Sequence, residues 1–426
     1  MDNANDKVRV ALIGIGDRGA EVEMAMSKPG LMDVVALCDA DLGAAHTAYV
    51  LQKYPQARKY KDWRLLFDEM AAQLDAVVVA TPDHSHFPIC IRALREGLHV
   101  YCEKPAGHTF LENELLMREA AARPSQVTQM GNQGHTSAAC ERWRVWTEAG
   151  IIRDVTRIDV FMNEERRWHD YDVNIKHFPQ GESAPDTLDW DVWLSGAEWH
   201  DFSDKFHPMN WRSWYDFGTG ALGDWGAHLF DHAHEFLHLG LPEEVKLLKA
   251  EGWNNYFFPM TTTLQFRFPR RGAMPSCELN WYDGRDNLPE LPEGFIYNPK
   301  RPGYVAPGSV IYSDKYIFQG GHHDQKLRFI PKALHDEIMS SMPATPKPPY
   351  DHYEAFLRAC RGEIEPTSPF EKACELCQVL CLGVIAQRLR ASFHFDRESG
   401  HITDNAFADA LLAGPPPRRG WEDYYK

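Results

Sequence analysis

A glycine-rich turn near the start of the chain has the residue types and the spacing to hold a phosphate group. Gly14, Gly16 and Gly19, with Asp17 and Arg18 between them, form the pattern G-x-G-x-x-G between an apolar run and a helical stretch. Such glycines allow a tight turn and a close backbone approach, and the N–H groups at a helix start attract phosphates. The turn therefore predicts a dinucleotide site; the alternative is a glycine turn without a cofactor.

An acidic residue further along the chain indicates which dinucleotide would bind. Asp39 follows the apolar run Val34–Cys38, and Asp41 adds a second negative charge. A carboxylate at this point can accept hydrogen bonds from the adenosine ribose, and it would repel a 2′-phosphate. We therefore expect NAD rather than NADP. In the alternative interpretation Asp39 only caps the next helix.

A lysine after a later apolar run could stabilise negative charge on a substrate. Lys104 follows the run that ends at Cys102 and precedes a proline, which favours an extended backbone. Ligands of open α/β sheets bind beyond the carboxyl ends of the strands. An ammonium group placed there could stabilise the alkoxide that forms when a hydroxyl is oxidised. The alternative is a surface lysine in a turn.

An acid and a histidine four residues apart could complete the chemistry. On a helix Asp224 and His228 would share one face, which Asp231 and Glu235 would continue. Histidine is suited to take a hydroxyl proton near neutral pH, and Asp224 could orient a second hydroxyl. Two alternatives are a solvated polar face and a metal site, since His228 and His232 are also four residues apart. We expect no metal, because hydride chemistry with a nicotinamide and a lysine needs none.

An aromatic segment before this helix favours a carbohydrate substrate. Trp211, Arg212 and Tyr215 combine aromatic faces with polar groups, which suits the apolar and hydroxylated sides of a pyranose. The alternative is aromatic core packing. His322 and His323 could lie at the mouth of the cleft, and no role is assigned to them.

The elements that must position these groups fall into two patterns, of which the first covers residues 1–150. Short β-branched runs alternate there with helical stretches, which predicts the doubly wound parallel sheet of a Rossmann domain. The predicted strands are Val8–Ile13, Val34–Cys38, Ala76–Ala80, Val100–Cys102 and Val127–Met130. The predicted helices are Asp17–Ser27, Leu42–Lys53, Phe87–Glu96 and Leu111–Ala122.

The second pattern begins after Gly150 and predicts an α+β domain of residues 151–426 with an open, mostly antiparallel sheet. Its predicted strands are longer and more polar: Val155–Met162, Val245–Glu251, Thr261–Phe268 and Ser276–Tyr282. Two helices, Tyr350–Ala359 and Glu371–Leu389, follow a proline-rich connector. We expect residues 350–390 to pack back on the first domain.

Composition excludes some partners and suggests a compartment. Lys plus Arg is 45 and Asp plus Glu is 61 in 426 residues, a net charge of −16, which argues against nucleic acid or an anionic membrane as a partner. The nine cysteines are scattered; Cys374, Cys377 and Cys381 lie at helical spacing and are expected to be buried apolar residues rather than metal ligands. Dispersed thiols and a polar stretch from Met1 to Lys7 predict a cytoplasmic protein; the alternative is an exported protein whose leader has been removed.

Three further motifs resemble a known family. They are ATPDHSH at Ala80–His86, CEKP at Cys102–Pro105 and GALGDWGAHLFD at Gly220–Asp231. In their order and spacing they resemble the glucose–fructose oxidoreductase and inositol 2-dehydrogenase family, written Gfo/Idh/MocA, across essentially the whole chain. The segment Gly131–His135 (GNQGH) departs from the commonest version of the family and is similar to a sub-branch that acts on sugars or glycosides.

The resemblance implies roles for individual residues and for the second domain. It implies that Lys104 and His228 act beside the nicotinamide, that Asp224 holds the substrate and that Gln133 contacts it. It implies that the sheet of the second domain forms the interface of a dimer or tetramer. The cofactor contacts that it adds are Thr81, Pro82, His84, His86, Glu103, Lys104 and Asn132.

Taken together, the sequence predicts an NAD-dependent oxidoreductase that acts on a secondary hydroxyl of a sugar, polyol or glycoside. One alternative is a glycosidase or lyase that oxidises its substrate transiently and keeps its NAD, which needs a further base; Tyr215, His135 and His323 are the candidates for that base. Another alternative is a non-catalytic NAD-sensing regulator, which would be expected to lack Lys104 or His228.

Overall fold

The computed structural model describes residues 7–164, 171–298 and 300–426 and contains two β-sheets. Residues 1–6, on which the expectation about a leader rests, lie outside the described residues. The strands are β1 Val8–Ile13, β2 Met32–Cys38, β3 Arg58–Tyr60, β4 Ala76–Val79, β5 His99–Cys102, β6 Thr128–Met130, β7 Arg157–Met162, β8 Glu244–Glu251, β9 Thr261–Phe268, β10 Cys277–Asp283, β11 Gly308–Tyr312, β12 Ile317–Gly320, β13 Arg328–Ile330, β14 Phe393–Asp396 and β15 His401–Ile402.

Thirteen α-helices occur in the part of the chain that the structure describes. They are α1 Asp17–Met26, α2 Ala48–Lys53, α3 Trp63–Met70, α4 Asp83–Arg95, α5 Phe110–Ala121, α6 Ala138–Glu148, α7 Trp190–Leu194, α8 Gly220–Leu229, α9 Asp231–Phe236, α10 Lys332–Ser341, α11 His352–Cys360, α12 Phe370–Leu389 and α13 Ala406–Ala413. No helix in the described ranges is long and apolar enough to cross a membrane.

The first sheet is parallel and has the order β3-β2-β1-β4-β5-β6. Because the direction of winding reverses between β1 and β4, a crevice opens at the carboxyl ends of these two strands. The predicted doubly wound arrangement is confirmed. The helix predicted for Leu42–Lys53 is wrong in its first turns: residues 45–47 form a 3₁₀ turn, and only Ala48–Lys53 is α-helical.

The second sheet has nine strands in the order β13-β12-β11-β7-β10-β9-β8-β14-β15. It is mostly antiparallel, as predicted, with one parallel pair between β7 and β10. Its inner face packs Leu264 and Phe266 against α8 and α12. Its outer face carries a buried polar pair, Asn280 Nδ2 donating to Asp159 Oδ1 at 2.8 Å, and is partly covered by Phe295 and Val305.

Helix α12 is buried on nearly all sides because it belongs to both cores. Phe370 and Cys374 pack in the core of the parallel sheet, whereas Val379 and Ile385 pack in the core of the second sheet. Helix α11 packs against α1 through Phe356, a member of the core cluster under the parallel sheet. The division of the chain at residue 150 stays a prediction.

An aromatic segment between β7 and α8, which we call the strap (residues 184–217), crosses to the Rossmann domain. Its backbone binds there directly: the Asp189 N–H donates to Ala40 O at 2.8 Å, and Leu188 forms a β-bridge with Asp41. The C-terminal segment fastens the strap, since Arg418 bonds to Ser195 O at 2.6 Å and to Asp191 at 2.8 Å. The strap therefore covers one side of the crevice between β1 and β4.

Candidate active site

A cavity of about 400 Å³ lies at the carboxyl ends of β1 and β4 and continues toward α8. Strap residues, including Trp193 and Trp211, form one of its walls. It brings together most of the residues singled out in the sequence. Those that line it are Gly14, Gly16, Asp17, Arg18, Asp39, Thr81, Pro82, His86, Glu103, Lys104, Gln133, Trp211, Arg212, Asp224 and His228.

The glycine-rich turn can form only without side chains at its glycines. Gly14 has φ +81°, and a Cβ atom there would lie 2.6 Å from Ala80 O. A Cβ atom at Gly19 would lie 2.0 Å from Gly14 O, so α1 starts in direct contact with the turn. The result is an open cradle with the N-terminal end of α1 facing the cavity, which fits the pyrophosphate of a dinucleotide.

Asp39 is fixed by the backbone at the other end of this cradle. Its two carboxylate oxygens accept hydrogen bonds from the Ile15 N–H at 3.0 Å and the Asp41 N–H at 2.9 Å. Burial raises the pKa of Asp39, and these hydrogen bonds lower it again in part. Sequence reasoning missed two basic residues, His46 and Lys61, which line the same cavity. His46 packs directly on the turn, since a Cβ atom at Gly16 would lie 2.0 Å from its Cδ2.

Lys104 and Asp224 meet at the opposite end of the cavity and form an ion pair. Lys104 Nζ also donates to Asp224 O at 3.0 Å, so the ammonium is held at the exposed side of α8. A second link fixes α8 to the Rossmann domain, because Asp83 Oδ2 accepts from Thr219 Oγ1 at 2.6 Å and from the Thr219 N–H at 3.1 Å. Asp224, which the sequence analysis expects to bind the substrate, therefore also binds Lys104 directly.

His228 lies one helical turn after Asp224 and is buried, with 8% of its surface exposed. Its Nδ1 atom has no hydrogen-bond partner among the described residues. Burial, followed by the charge of Lys104, holds its pKa well below the usual value, so the imidazole is neutral at neutral pH. Its ring centroid lies 4.5 Å from that of His323, which sequence reasoning had noted without assigning a role.

Arg18 and Glu103 connect the glycine-rich turn with the end of β5. Arg18 Nη2 lies 2.9 Å from Glu103 Oε1 and 2.9 Å from the hydroxyl of Tyr353. Gly131 makes room for this pair, since a Cβ atom there would lie 2.6 Å from Glu103 Oε1. The ion pair brings a partly exposed guanidinium to the cavity beside Asp17.

Four of the predicted contacts do not line the cavity. Gly19 packs against the turn, and the ring nitrogens Nε2 and Nδ1 of His84 lie 2.8 Å from Trp193 O and 3.3 Å from Phe217 O. Asn132 is buried and accepts from Ser368 Oγ at 2.8 Å. Tyr215 lies in a smaller neighbouring cavity with Arg388, because the backbone turns between Trp211 and Tyr215. Trp225, which the sequence analysis did not assign to the site, also lines the cavity.

The polar stripe expected to run from Asp224 to Glu235 is broken, because α8 ends at Leu229 and α9 starts at Asp231. Asp231 and Glu235 therefore enclose His135, with Asp231 Oδ1 2.9 Å from Nδ1 and Glu235 Oε2 2.8 Å from Nε2. Burial alone would lower the pKa of His135, but the two carboxylates raise it to about 10.

In the described residues no group of three or more His, Cys, Asp or Glu side chains is arranged to hold a metal ion.

The fold and the cavity define a dinucleotide-binding protein with a Rossmann domain and an appended α+β domain. Two family models match it: "Oxidoreductase family, NAD-binding Rossmann fold" over residues 8–130 and "Oxidoreductase family, C-terminal alpha/beta domain" over residues 142–247, together more than half of the chain. The chain belongs to the Gfo/Idh/MocA oxidoreductase family, as its motifs indicate. Its Rossmann domain is NAD-binding.

Curated relatives match parts of the chain. A glycosyl hydrolase family 109 protein of Saccharopolyspora erythraea is 35% identical over 112 residues, which are 25% of this chain and 24% of that protein. Inositol 2-dehydrogenase 1 of the same organism is 27% identical over 192 residues, 45% of this chain and 55% of that protein. The matched region spans only about a quarter to a half of these relatives.

Solved structures match nearly the whole chain at low identity and show the fold alone. The WlbA dehydrogenase of Bordetella pertussis, in complex with NADH and UDP-GlcNAcA, has a TM-score of 0.59 at 16% identity, covering 92% of this chain and 99% of that one. The aldose-aldose oxidoreductase of Caulobacter crescentus has a TM-score of 0.58 at 15% identity, covering 91% of this chain and 100% of that one.

Proposed function

We propose that this protein is an NAD-dependent oxidoreductase acting on a secondary hydroxyl of a sugar, polyol or glycoside. One observation carries the proposal: an ammonium group (Lys104) and a neutral imidazole (His228) line the same cavity as the glycine-rich turn. A secondary alcohol needs such a pair, since oxidation releases one proton and places negative charge on the oxygen.

The cofactor would be held by the turn and by the acid at the end of β2. Gly14, Gly16 and Asp17 would face the pyrophosphate, and Asp39 the adenosine ribose. Bound NAD supplies the acceptor for the hydride that leaves the alcohol carbon. Thr81 and Pro82 would line its path toward Lys104.

The chain's own residues would handle the hydroxyl group. His228 takes its proton, because its neutral imidazole lines the cavity and its Nδ1 atom has no hydrogen-bond partner among the described residues. Lys104 lies beside the oxygen and stabilises its negative charge, and Asp224 orients that ammonium through their ion pair. Trp211, whose ring lies 4.2 Å from the guanidinium of Arg212, would contact the ring of the sugar.

A second candidate function is a glycosidase that oxidises its substrate transiently. Relatives named glycosyl hydrolase family 109 protein favour it, and so does the position of His323. Of the three candidates for the further base, only His323 lines the cavity; His135 is enclosed by carboxylates, and Tyr215 lies in the neighbouring cavity. Burial and His322 lower the pKa of His323 to about 4, so its imidazole is also neutral.

One assay separates the two candidates. Purified protein is incubated with NAD and a panel of polyols and of aryl and alkyl glycosides, and both the absorbance at about 340 nm and the release of aglycone are followed. An oxidoreductase forms a keto product and an equal amount of reduced cofactor. Aglycone release over many turnovers, with no net reduction of NAD, would contradict our proposal and support the glycosidase. Lys104→Met should abolish either activity, whereas Lys28→Met, an exposed lysine outside the cavity, should not.

We propose further that copies of the chain associate through the outer face of the second sheet and that the protein is cytoplasmic. Beside the buried pair Asp159 and Asn280 this face carries polar side chains nearer the surface: Glu278 is exposed, and Gln265 Nε2 donates to Asn280 Oδ1 at 3.1 Å. All nine cysteines are free thiols, which supports a reducing compartment.

A further inference from the structure

A second, open groove of about 1010 Å³ lies at the edge of the nine-stranded sheet, beside β12 and β13. Its walls carry one carboxylate, Asp324, together with five basic side chains and three polar or aromatic ones, and these last eight are the set that we call the basic groove. The set is Arg142, Lys326, Arg328, Lys332, His335, Tyr297, Asn298 and Tyr304. Four of these side chains, Arg142, Lys326, Arg328 and Lys332, carry positive charge in a chain whose net charge is −16.

The positive charges of the basic groove are only partly compensated. Arg328 and Lys326 have no carboxylate within salt-bridge distance among the described residues, and Arg142 bonds instead to Leu327 O at 2.8 Å and Thr345 Oγ1 at 3.1 Å. Burial lowers the pKa of Arg142, and the nearby charge of Arg328 lowers it further. Asp324 also lines the groove and Lys332 pairs with Asp336, so the four Lys and Arg side chains outnumber the two carboxylates and favour an anionic ligand.

The aromatic side of the groove is fixed by the sheet. Gln319, which lies directly opposite Arg328 in the pairing of β12 with β13, holds the backbone of Ile296 through two hydrogen bonds of 3.0 and 3.1 Å. This anchor presents Tyr297, 48% exposed, next to the basic side chains. An exposed tyrosine ring beside hydrogen-bonding groups is the combination that binds the apolar face of a sugar.

The basic groove shares a loop with the candidate active site. Residues 320–325 form its border: Gly321 and Gln325 line the groove, whereas His323 lines the catalytic cavity. Within the loop, Nδ1 of His322 lies 2.6 Å from Nδ1 of His323. A ligand extending out of the cavity past His323 would therefore reach the basic side chains.

We propose that the basic groove binds the negatively charged part of an extended carbohydrate substrate, so that the substrate class is an acidic saccharide bearing carboxylate or sulfate groups. This inference rests on the proposed function for the identity of the reacting group. The binding of an acidic saccharide in the groove does not depend on the proposed function, because none of the residues in the groove takes part in the chemistry.

The test is isothermal titration of the full chain with three trisaccharides: trigalacturonate, sulfated maltotriose and neutral maltotriose. At low salt at least one acidic trisaccharide should bind about tenfold more tightly than maltotriose, which corresponds to the loss or gain of a few exposed charge contacts. The advantage should shrink at high salt, because exposed charges are screened. Which acidic probe binds identifies the anionic group.

Matched variants show whether the groove is responsible. Lys326→Gln with Arg328→Gln should remove the preference for acidic trisaccharides, whereas Lys7→Gln with Lys28→Gln, two exposed lysines of the Rossmann domain, should leave it intact. Equal binding of acidic and neutral trisaccharides would overturn the proposal. An equal loss in the control pair would overturn it too, and so would inorganic sulfate binding as tightly as the saccharides.

The outcome is separate from that of the proposed function. Binding is measured without turnover, so groove-dependent binding of an acidic trisaccharide with no reduction of NAD would count against the oxidoreductase and leave the groove standing. With an oxidised acidic substrate, the groove variants should raise KM about tenfold and leave kcat unchanged, because they contribute binding away from the reacting carbon.

Discussion

The charge on His135 can be removed with little change in shape by the substitution His135→Gln. In the structure this imidazole lies between Asp231 and Glu235, and only 7% of its side chain is exposed. A second cation, Lys372, pairs with Glu235 at 2.6 Å but not with Asp231. Glutamine can keep a hydrogen bond, yet it leaves the two carboxylates without their shared positive charge. We therefore expect the variant to fold less stably, by an amount that depends on pH.

The magnitude follows from the shift of the pKa. The two carboxylates raise the pKa of His135 from the ordinary 6.5 to about 10 in the folded chain. A group whose pKa is raised by folding contributes its stability below the unfolded pKa and loses it as the pH rises through the folded pKa. At ~1.4 kcal/mol per pKa unit, the contribution is about 4 kcal/mol at pH 6.5 and about 1 kcal/mol at pH 9. A loss of about 3–5 kcal/mol is also typical when one partner of a buried ion pair is removed.

Urea unfolding at pH 6.5 and at pH 9 measures this difference. The free energy of unfolding should differ between the wild type and His135→Gln by about 4 kcal/mol at the lower pH and by about 1 kcal/mol at the higher pH. His177→Gln, which changes an exposed histidine, should show no such dependence. A difference between wild type and His135→Gln that is the same at both pH values would refute the reasoning, because the imidazole would then be neutral in the folded chain.

The remaining predictions concern the cavity. Lys104→Met and His228→Gln should each lower kcat by about 100-fold or more, the scale of a lost charge-stabilising or acid–base group, and should leave NADH binding measured by fluorescence intact. Turnover close to that of the wild type in either variant, at saturating substrate, would exclude that residue from the mechanism. Asp39→Ala should weaken NAD binding and reduce the discrimination against NADP, whereas Asp33→Ala, an exposed acid on β2, should change neither. A wild-type protein that binds NADP more tightly than NAD in the same titration would contradict the assignment of Asp39.

The parallel sheet could be predicted closely because its strands are continuous apolar runs. Val8–Ile13 is confirmed in both bounds, and Ala76–Ala80 is one residue too long. The strand Arg58–Tyr60 was missed, since it has only three residues, two of them exposed and charged. Helix Ala138–Glu148 was missed because its buried tryptophans alternate with arginines and hide the apolar period. The strands β11, β12 and β13, between residues 308 and 330, were missed as well, because they are short and their apolar and polar residues do not alternate regularly.

The site was predictable where a residue stands on a regular element next to a recognised motif. Lys104 and Asp224 are brought together in the cavity although 120 positions separate them. Sequence spacing could not show that they pair directly, nor that α8 ends before Asp231 and turns the next acids toward His135. His46 reaches the cavity from the 3₁₀ turn of residues 45–47 and His323 from a loop, and the position of both depends on tertiary contacts rather than on a local sequence pattern.

Because α12 belongs to two hydrophobic cores, it affects how the protein unfolds. A chain cut after residue 150 would leave the parallel sheet without Phe370 and Cys374, and apolar surface in its core would be open to water. The two sheets should therefore lose their structure in a single cooperative step in denaturant, although they are distinct in topology. For the same reason, a chimera that exchanges the Rossmann half for that of another family member would have to carry α12 with it. We therefore expect the cooperative unit of unfolding in this chain to be larger than either of its two domains.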